Sequence, residues 1–231
     1  MPTFHDDEFG DIVIRRSKRA RSVKLSVAPN GTLRISMPFY APLFLARKLV
    51  NSSRDSLRDM QHTQPTVKLH DMMQLGKSHR LSIREGTKLA VRYLRNERLI
   101  QLTLPDDIAI GDPAVTKALM PIVADTLRRE AKSYLPKRLA HLANLLGFDY
   151  EKVRFSHAST RWGSCSSNGT ISLNIALMRL DFALIDYVLV HELCHTRQMN
   201  HSQAFWQLVE AGDPDYKLHR KLLKAEQPVV L

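Results

Sequence analysis

The stretch His191-Glu192-Leu193-Cys194-His195 decides how this chain of 231 residues is interpreted. Residues four apart on an α-helix share one face, so His191 and His195 can bind the same metal ion. Glu192 is next to the first of them, close enough to hold a metal-bound water and accept its proton without being a ligand. The pattern therefore predicts a catalytic zinc site, with Zn2+ held on a helix.

A catalytic zinc ion takes three protein ligands and leaves one position open for water. His201 follows after a short connection, and we predict it as the third ligand. The chain must turn sharply to bring it back, and Asn200, which tolerates the left-handed conformation, is expected to supply the turn. The interval from His195 to His201 also equals that of the metzincins, but Gln198 replaces their glycine and no methionine follows Met199. A metzincin is therefore excluded.

The surroundings of the motif predict the elements that support it. Apolar spacing indicates a helix over 182–198, anchored in a core. A last helix is expected from Ser202, a good N-cap, to Gly212. Upstream, strands are predicted at 152–157 and 170–174.

The first half of the chain is β-rich. Apolar and polar residues alternate over 11–38, with Pro29-Asn30-Gly31 as a hairpin turn, and a helix is expected over 41–61. Further strands are predicted at 67–75, 79–84, 88–94 and 99–104. Helical spacing follows over 115–134 and 136–146. The sequence thus predicts an α+β fold with a β-rich N-terminal region, 1–110, and a small zincin-like catalytic domain, 111–231, that contains the HExxH helix.

Composition limits the class of protein. The formal net charge of +11 favours polyanionic partners. Part of this charge lies between Arg15 and Lys24, where a solvated strand edge and an anion-binding surface both stay open. No apolar run approaches the roughly 18 to 20 residues that cross a bilayer, and the acidic start does not resemble a signal peptide. With two cysteines, Cys165 and Cys194, we expect a cytoplasmic protein without membrane partners.

Several short motifs together resemble the YgjP-like metallopeptidase family, relatives of the SprT-like zinc proteases. Besides the HExxH stretch they are Arg161-Trp162-Gly163-Ser164-Cys165, Leu173-Asn174, Asn200-His201-Ser202 and Phe205-Trp206. The similarity extends over most of the chain. It implies a small zincin-type catalytic domain with zinc on three histidines and a glutamate base.

Other residues are candidates for supporting roles. Arg161 and Trp162 are predicted to bind substrate, by stabilising an oxyanion or binding a phosphate, or else to form an ordinary surface ion pair and core contact. Strand 170–174 is expected to be the edge that aligns an extended peptide. Asp213 or Asp215 is a candidate to orient a ligand histidine.

Three functions stay open. The leading one is a zinc-dependent metallopeptidase in which a metal-activated water attacks a peptide carbonyl, Glu192 is the general base and the substrate is a protein or peptide. The same site would also suit a metal-dependent hydrolase of nucleotides or other phosphoanhydrides. The third is a nucleic-acid-binding module with zinc in a structural role.

Overall fold

A computed structural model of the protein describes residues 3–18, 20–27, 33–57 and 68–231. Contacts between residues divide the chain into two compact units, Met1–Val67 and Lys68–Leu231, each with its own apolar core. The division falls between residues 67 and 68, whereas the sequence predicted a boundary between 110 and 111. The difference arises because Leu81, Ile100 and Leu102, which precede the expected boundary, pack in the core of the second unit.

The first unit is a four-stranded sheet with one helix. Its strands are β1 (Thr3–Asp6), β2 (Gly10–Ser17), β3 (Lys24–Val27) and β4 (Leu33–Pro38), in the order β1-β2-β4-β3. Strands β2 and β4 are parallel and the other pairs antiparallel. Helix α1 (Leu43–Ser52) buries Ala46 and Val50 in the same core as Ile12 and Ile35. The alternation in the sequence is confirmed for β2 to β4, while the expected turn Pro29-Asn30-Gly31 lies outside the described residues.

The second unit begins with a three-stranded sheet. Its strands are β5 (Arg80–Glu85), β6 (Ala90–Leu94) and β7 (Leu99–Leu104), in the order β5-β7-β6. The strand expected over 67–75 is wrong for the described part of that range, which forms only an isolated bridge between Gln74 and Arg80. A turn at Met72, whose φ is 56°, interrupts it, and the Asp71 side chain accepts the Ile83 N–H at 2.7 Å.

One long helix, α2 (Pro113–Leu146), follows where the sequence predicted two. It begins at the N-cap Asp112 and ends at Gly147, which has a φ of 70°. Pro136 removes one main-chain hydrogen bond but does not end the helix. Leu135 and Leu139 on either side are fully buried on one face, so packing keeps the helix continuous.

A second three-stranded sheet lies before the motif helix. Its strands are β8 (Lys152–Ser156), β9 (Gly163–Cys165) and β10 (Thr170–Asn174), in the order β8-β10-β9. Strand β10 pairs with β8 in parallel and with β9 in antiparallel orientation. The expectation that β10 is the edge strand is therefore wrong, because both of its sides are paired and β9 occupies the edge.

The remaining elements form a helical layer. A 3-10 helix, Ile175–Arg179, leads to α3 (Phe182–Cys194), α4 (Gln203–Gly212) and α5 (Tyr216–Ala225). The expected start of α4 at the N-cap Ser202 is confirmed, and its side chain accepts the Phe205 N–H. Helix α5 had not been expected. Across the residues described, no helix is long and apolar enough to cross a bilayer.

Candidate metal centre

Three histidine side chains converge at the end of α3. The Nε2 atom of His191 lies 3.2 Å from that of His195 and 3.3 Å from that of His201. One nitrogen from each ring lies within 4.8 Å of the others, a spacing at which all three can bind one metal ion. The geometry brings together the three residues that the sequence selected as ligands.

A tight turn after α3 returns the chain to this centre. The Thr196 amide donates to the Leu193 carbonyl at 2.9 Å, and the Gln198 amide donates to that of Cys194, also at 2.9 Å. Asn200 does not supply a left-handed residue, because the only non-glycine residues with positive φ in the described ranges are Met72 and Arg98. Successive amides bonding back onto the last turn of the helix reverse the chain instead.

The histidine rings are oriented by their neighbours. His195 Nδ1 lies 3.0 Å from the Gln198 carbonyl oxygen, so the Nδ1–H donates there and Nε2 keeps its lone pair for a metal. The ring of the buried Phe205 stacks on His195 with centroids 4.5 Å apart. Trp206 stacks on His201 at 5.6 Å. These contacts hold the rings before any ion binds.

The electrostatics favour neutral imidazoles, the form that binds metals. Burial, together with the neighbouring His195 and His201, lowers the pKa of His191 to about 3. Burial also lowers the pKa of His195. Three imidazole nitrogen donors fit zinc, whereas magnesium and calcium prefer oxygen ligands. The residues present therefore fit the metal that the sequence predicts.

Glu192 lies beside the histidines in a nearly closed environment, with 5% of its surface exposed. Burial raises the pKa of its carboxyl to about 8, and the positive charge of Arg161 opposes that rise. Its Oε2 atom is buried and has no hydrogen-bond partner among the described residues. A buried acceptor of this kind requires a partner, and a water or substrate in the site would supply one.

The carboxylate borders a cleft of about 210 Å³. Its lining residues are Trp162, Gly163, Tyr187, Val188, His191, Glu192 and Leu223. The structure thus places Trp162 in one cleft with His191 and Glu192. Arg161 is exposed and does not line the cleft, although its charge acts on Glu192.

Asn174 is a functional candidate that the sequence did not single out for a role. It is fully buried, and its Nδ2 atom donates to the carbonyl oxygens of Ala158 at 2.6 Å and Arg161 at 2.9 Å. Its main-chain amide donates to the Trp162 carbonyl at 2.8 Å. The Asn174 side chain therefore fixes the loop that carries Trp162 into the cleft. The sequence signal that could have identified Asn174 is a polar residue between two apolar neighbours, in Leu173-Asn174-Ile175.

Other side chains near the centre have structural partners of their own. Asp213 Oδ2 accepts from His219 Nδ1 at 2.7 Å and not from a predicted ligand, so the role proposed for Asp213 is wrong. Cys194 is fully buried and, as expected, packs in the core. Cys165 is not part of the described group of metal-binding side chains.

A helix that holds a glutamate between two histidines, with a third histidine returned by a turn, defines the class of zincin-like metallohydrolases. The sequence matches the YgjP-like family, described as "YgjP-like, metallopeptidase domain", over residues 21–226. Because this range covers most of the chain, the protein belongs to the YgjP-like metallopeptidase family. It is accordingly a hydrolase.

Among solved structures, the chain is similar to one described as the metallopeptidase zymogen of Pyrococcus abyssi abylysin. The two share 28% sequence identity, with a TM-score of 0.36, over 39% of this chain and 92% of that one. No curated protein matches the chain at a significant level.

Proposed function

We propose that the protein is a zinc-dependent metallopeptidase in which His191, His195 and His201 hold the ion and Glu192 is the general base. The observation that carries the proposal is the convergence of three imidazole nitrogens beside a buried carboxylate. A purely structural zinc site needs four protein ligands and no such carboxylate. Three histidines leave the fourth position available for the reaction.

When bound, a zinc ion supplies Lewis acidity that polarises the peptide carbonyl and lowers the pKa of water. Glu192 accepts the proton of the attacking water and returns it to the amine that leaves. A positive charge at the histidines favours the ionised form of Glu192, which is the form that accepts a proton. Gly163 leaves room for this carboxylate, since a Cβ atom at that position would be 2.5 Å from Oε1.

The edge strand β9 offers a place for an extended peptide. The Trp162 carbonyl accepts from Asn174 at 2.8 Å, and the Ser166 amide donates to Thr170 at 3.0 Å, both on the β10 side. In an antiparallel ladder, successive residues of a strand direct their main-chain N–H and C=O groups to opposite sides of that strand. Gly163 and Cys165 therefore present amides and carbonyls at the free edge, where a peptide adds a strand beside Glu192.

The test combines zinc analysis with activity. Wild type, Glu192→Gln and His201→Ala are compared with Glu210→Gln and His141→Ala, controls that remove an exposed glutamate and an exposed histidine elsewhere. Zinc is measured by elemental analysis, and activity by cleavage of casein and, separately, by phosphate release from nucleotides.

Glu192→Gln is expected to keep zinc and lose proteolysis, because a neutral amide cannot accept the proton. His201→Ala is expected to lose zinc and activity together, and both controls to behave as wild type. If wild type releases phosphate in a Glu192-dependent reaction and does not cleave casein, the protein is a phosphoanhydride hydrolase and not a peptidase. Wild type without zinc would refute the proposed metal site.

A further inference from the structure

Helix α5 carries exposed cations on one of its faces. Each residue turns an α-helix by about 100° and advances it by about 1.5 Å, so positions 217, 220, 221 and 224 fall within an arc of about 100° over a length of about 10 Å. The inward side of the helix is formed instead by Tyr216 and Leu223, which pack in the core of the second unit. We call the exposed set the basic stripe, and its members are Lys217, Arg220, Lys221 and Lys224.

The charge of the basic stripe is not neutralised by neighbouring side chains. Helix α5 contains no acidic residue, and Asp215 and Glu226 flank it at its two caps. The carboxylate of Asp213 accepts from His219 Nδ1 at 2.7 Å. Among the residues of the second unit that the structure describes, no ion pair involves a member of the stripe. These cations are therefore available to an acidic ligand.

Arg220 joins the basic stripe to the metal centre. Its guanidinium carbon lies 4.5 Å from the centroid of the Trp206 ring. That ring in turn stacks on the ring of His201, with centroids 5.6 Å apart. Leu223, on the same helix as the stripe, lines the cleft. A polypeptide that leaves the cleft over this wall therefore meets the stripe.

The spacing of the stripe fits an extended acidic peptide. Its cations repeat every three or four residues, which is about 4.5 to 6 Å along the helix. An extended chain places alternate side chains on one side about every 6.6 Å, and the long flexible stems of the cations cover the difference. Glutamates at alternate positions can thus form charge-assisted hydrogen bonds with successive cations. A nucleic acid also carries closely spaced anions, but only a protein substrate has to pass over the wall of the cleft.

We propose that the basic stripe binds acidic side chains of the protein substrate outside the cleft, and so favours substrates with an acidic segment close to the cleaved bond. The inference rests on the proposed peptidase function and adds a substrate class to it. Because the stripe does not touch the reacting atoms, its contribution appears in KM and not in kcat. The contribution decreases as the salt concentration rises, since exposed charges are screened.

The test compares peptides that differ only in the charge of a flanking segment. A casein site that wild type cleaves, identified by mass spectrometry, supplies the common sequence. The flanking segment, placed on either side of it, carries glutamate, glutamine or lysine at alternate positions. Both kcat and KM are measured at low and high salt. Fluorescence anisotropy measures binding of the same peptides, and of a labelled single-stranded DNA, to full-length Glu192→Gln.

Two variants with the same loss of charge are compared. The stripe variant combines Lys217→Gln, Lys221→Gln and Lys224→Gln, and it keeps Arg220 because that side chain contacts Trp206. The control removes exposed lysines of α2 by combining Lys117→Gln, Lys132→Gln and Lys137→Gln. Elemental analysis and circular dichroism establish that both variants contain zinc and are folded.

We expect wild type at low salt to have a kcat/KM about tenfold higher for the glutamate peptide than for the glutamine peptide. Each exposed ion pair changes binding by at most about fivefold, and several act together. The stripe variant should lose this preference and cleave the glutamine peptide as wild type does. The control should keep the preference.

The proposal would be overturned by an unchanged preference in the stripe variant, by an equal loss in the control, or by equal cleavage of all three peptides by wild type. Binding of DNA through the stripe without binding of the glutamate peptide would also overturn it. If no peptide is cleaved, the proposed function fails, whereas the anisotropy with Glu192→Gln still decides whether the stripe binds acidic peptides. The two failures are therefore distinguishable.

Discussion

Gly163 on β9 lies directly against the carboxylate of Glu192. A Cβ atom at residue 163 would be 2.5 Å from Oε1 and 2.8 Å from Cδ of that side chain, far inside van der Waals contact. The Glu192 carboxylate would therefore have to shift to accommodate the added atom, and the cleft that it borders is the available space. Glycine at this position therefore makes room for the proposed base.

Gly163→Ala should displace the Glu192 carboxylate. The positions of the three histidines, on α3 and on the turn that follows it, should not change. We expect proteolytic activity to fall about a hundredfold, since misplacement of a reacting group by about 1 Å has an effect of that order. Zinc content should not change. Gly111→Ala is the matched control, because nothing lies within 4 Å of a Cβ built there. Full activity in Gly163→Ala would show that the position of Glu192 does not limit the reaction.

Asn174→Ala should loosen the loop that brings Trp162 to the cleft. It leaves the carbonyls of Ala158 and Arg161 without their buried donor. We expect the free energy of unfolding to fall by about 2 to 6 kcal/mol, because each of the two unsatisfied carbonyls costs roughly 1 to 3 kcal/mol. Urea denaturation measures this loss, with the exposed Asn144→Ala as control. Activity per folded molecule should also fall. Unchanged activity would show that Asn174 has no role in the function of the cleft.

The histidine centre was predictable because its geometry is local. The spacing of His191 and His195 is set by the helix, and His201 is only six residues further along. The strands at Arg80–Glu85 and Leu99–Leu104 followed from apolar alternation or short apolar runs. These features depend on neighbouring residues and on little else.

The features that the sequence missed depend on packing between distant segments. The three residues of β9 are too few for a periodic signal, and β9 becomes a strand only by pairing with β10. Pro136 suggested a break in α2, but burial of both flanking turns outweighs the lost hydrogen bond. In helix α5 only Tyr216 is buried, and it packs on Trp206 of α4 with ring centroids 5.6 Å apart.

Glu130 of α2 holds the segment that leads into β5, which is one reason why residues before 110 belong to the second unit. Its carboxylate accepts the amides of Lys77 at 2.6 Å and Ser78 at 2.9 Å, and lies 2.5 Å from His79 Nδ1. Glu130→Ala takes a buried carboxylate away from these three groups, which are left without their partner. The free energy of unfolding should therefore fall by about 3 kcal/mol or more.

Thermal or urea denaturation measures that change, with the exposed Glu151→Ala as the matched control. We expect the loss to affect the whole unit, so that the intrinsic fluorescence of Trp162 and Trp206 changes in the same transition as the circular dichroism. Separate transitions would indicate that the β5 to β7 sheet unfolds independently of the metal centre.

Leu223 and Leu222 provide a test of how the cleft selects its substrate. Leu223 lines the cleft, whereas its neighbour Leu222 is 48% exposed. Leu223→Trp should fill part of the space beside Glu192 and discriminate against peptides with a large apolar side chain next to the cleaved bond. We expect kcat/KM for such peptides to fall roughly tenfold more than for peptides with alanine there, since pocket contacts of about 1 to 3 kcal/mol separate substrates by factors of this size. Leu222→Trp adds the same side chain outside the cleft and should leave the preference unchanged. An equal loss for large and small side chains in Leu223→Trp would show that the cleft does not hold the side chain of the substrate.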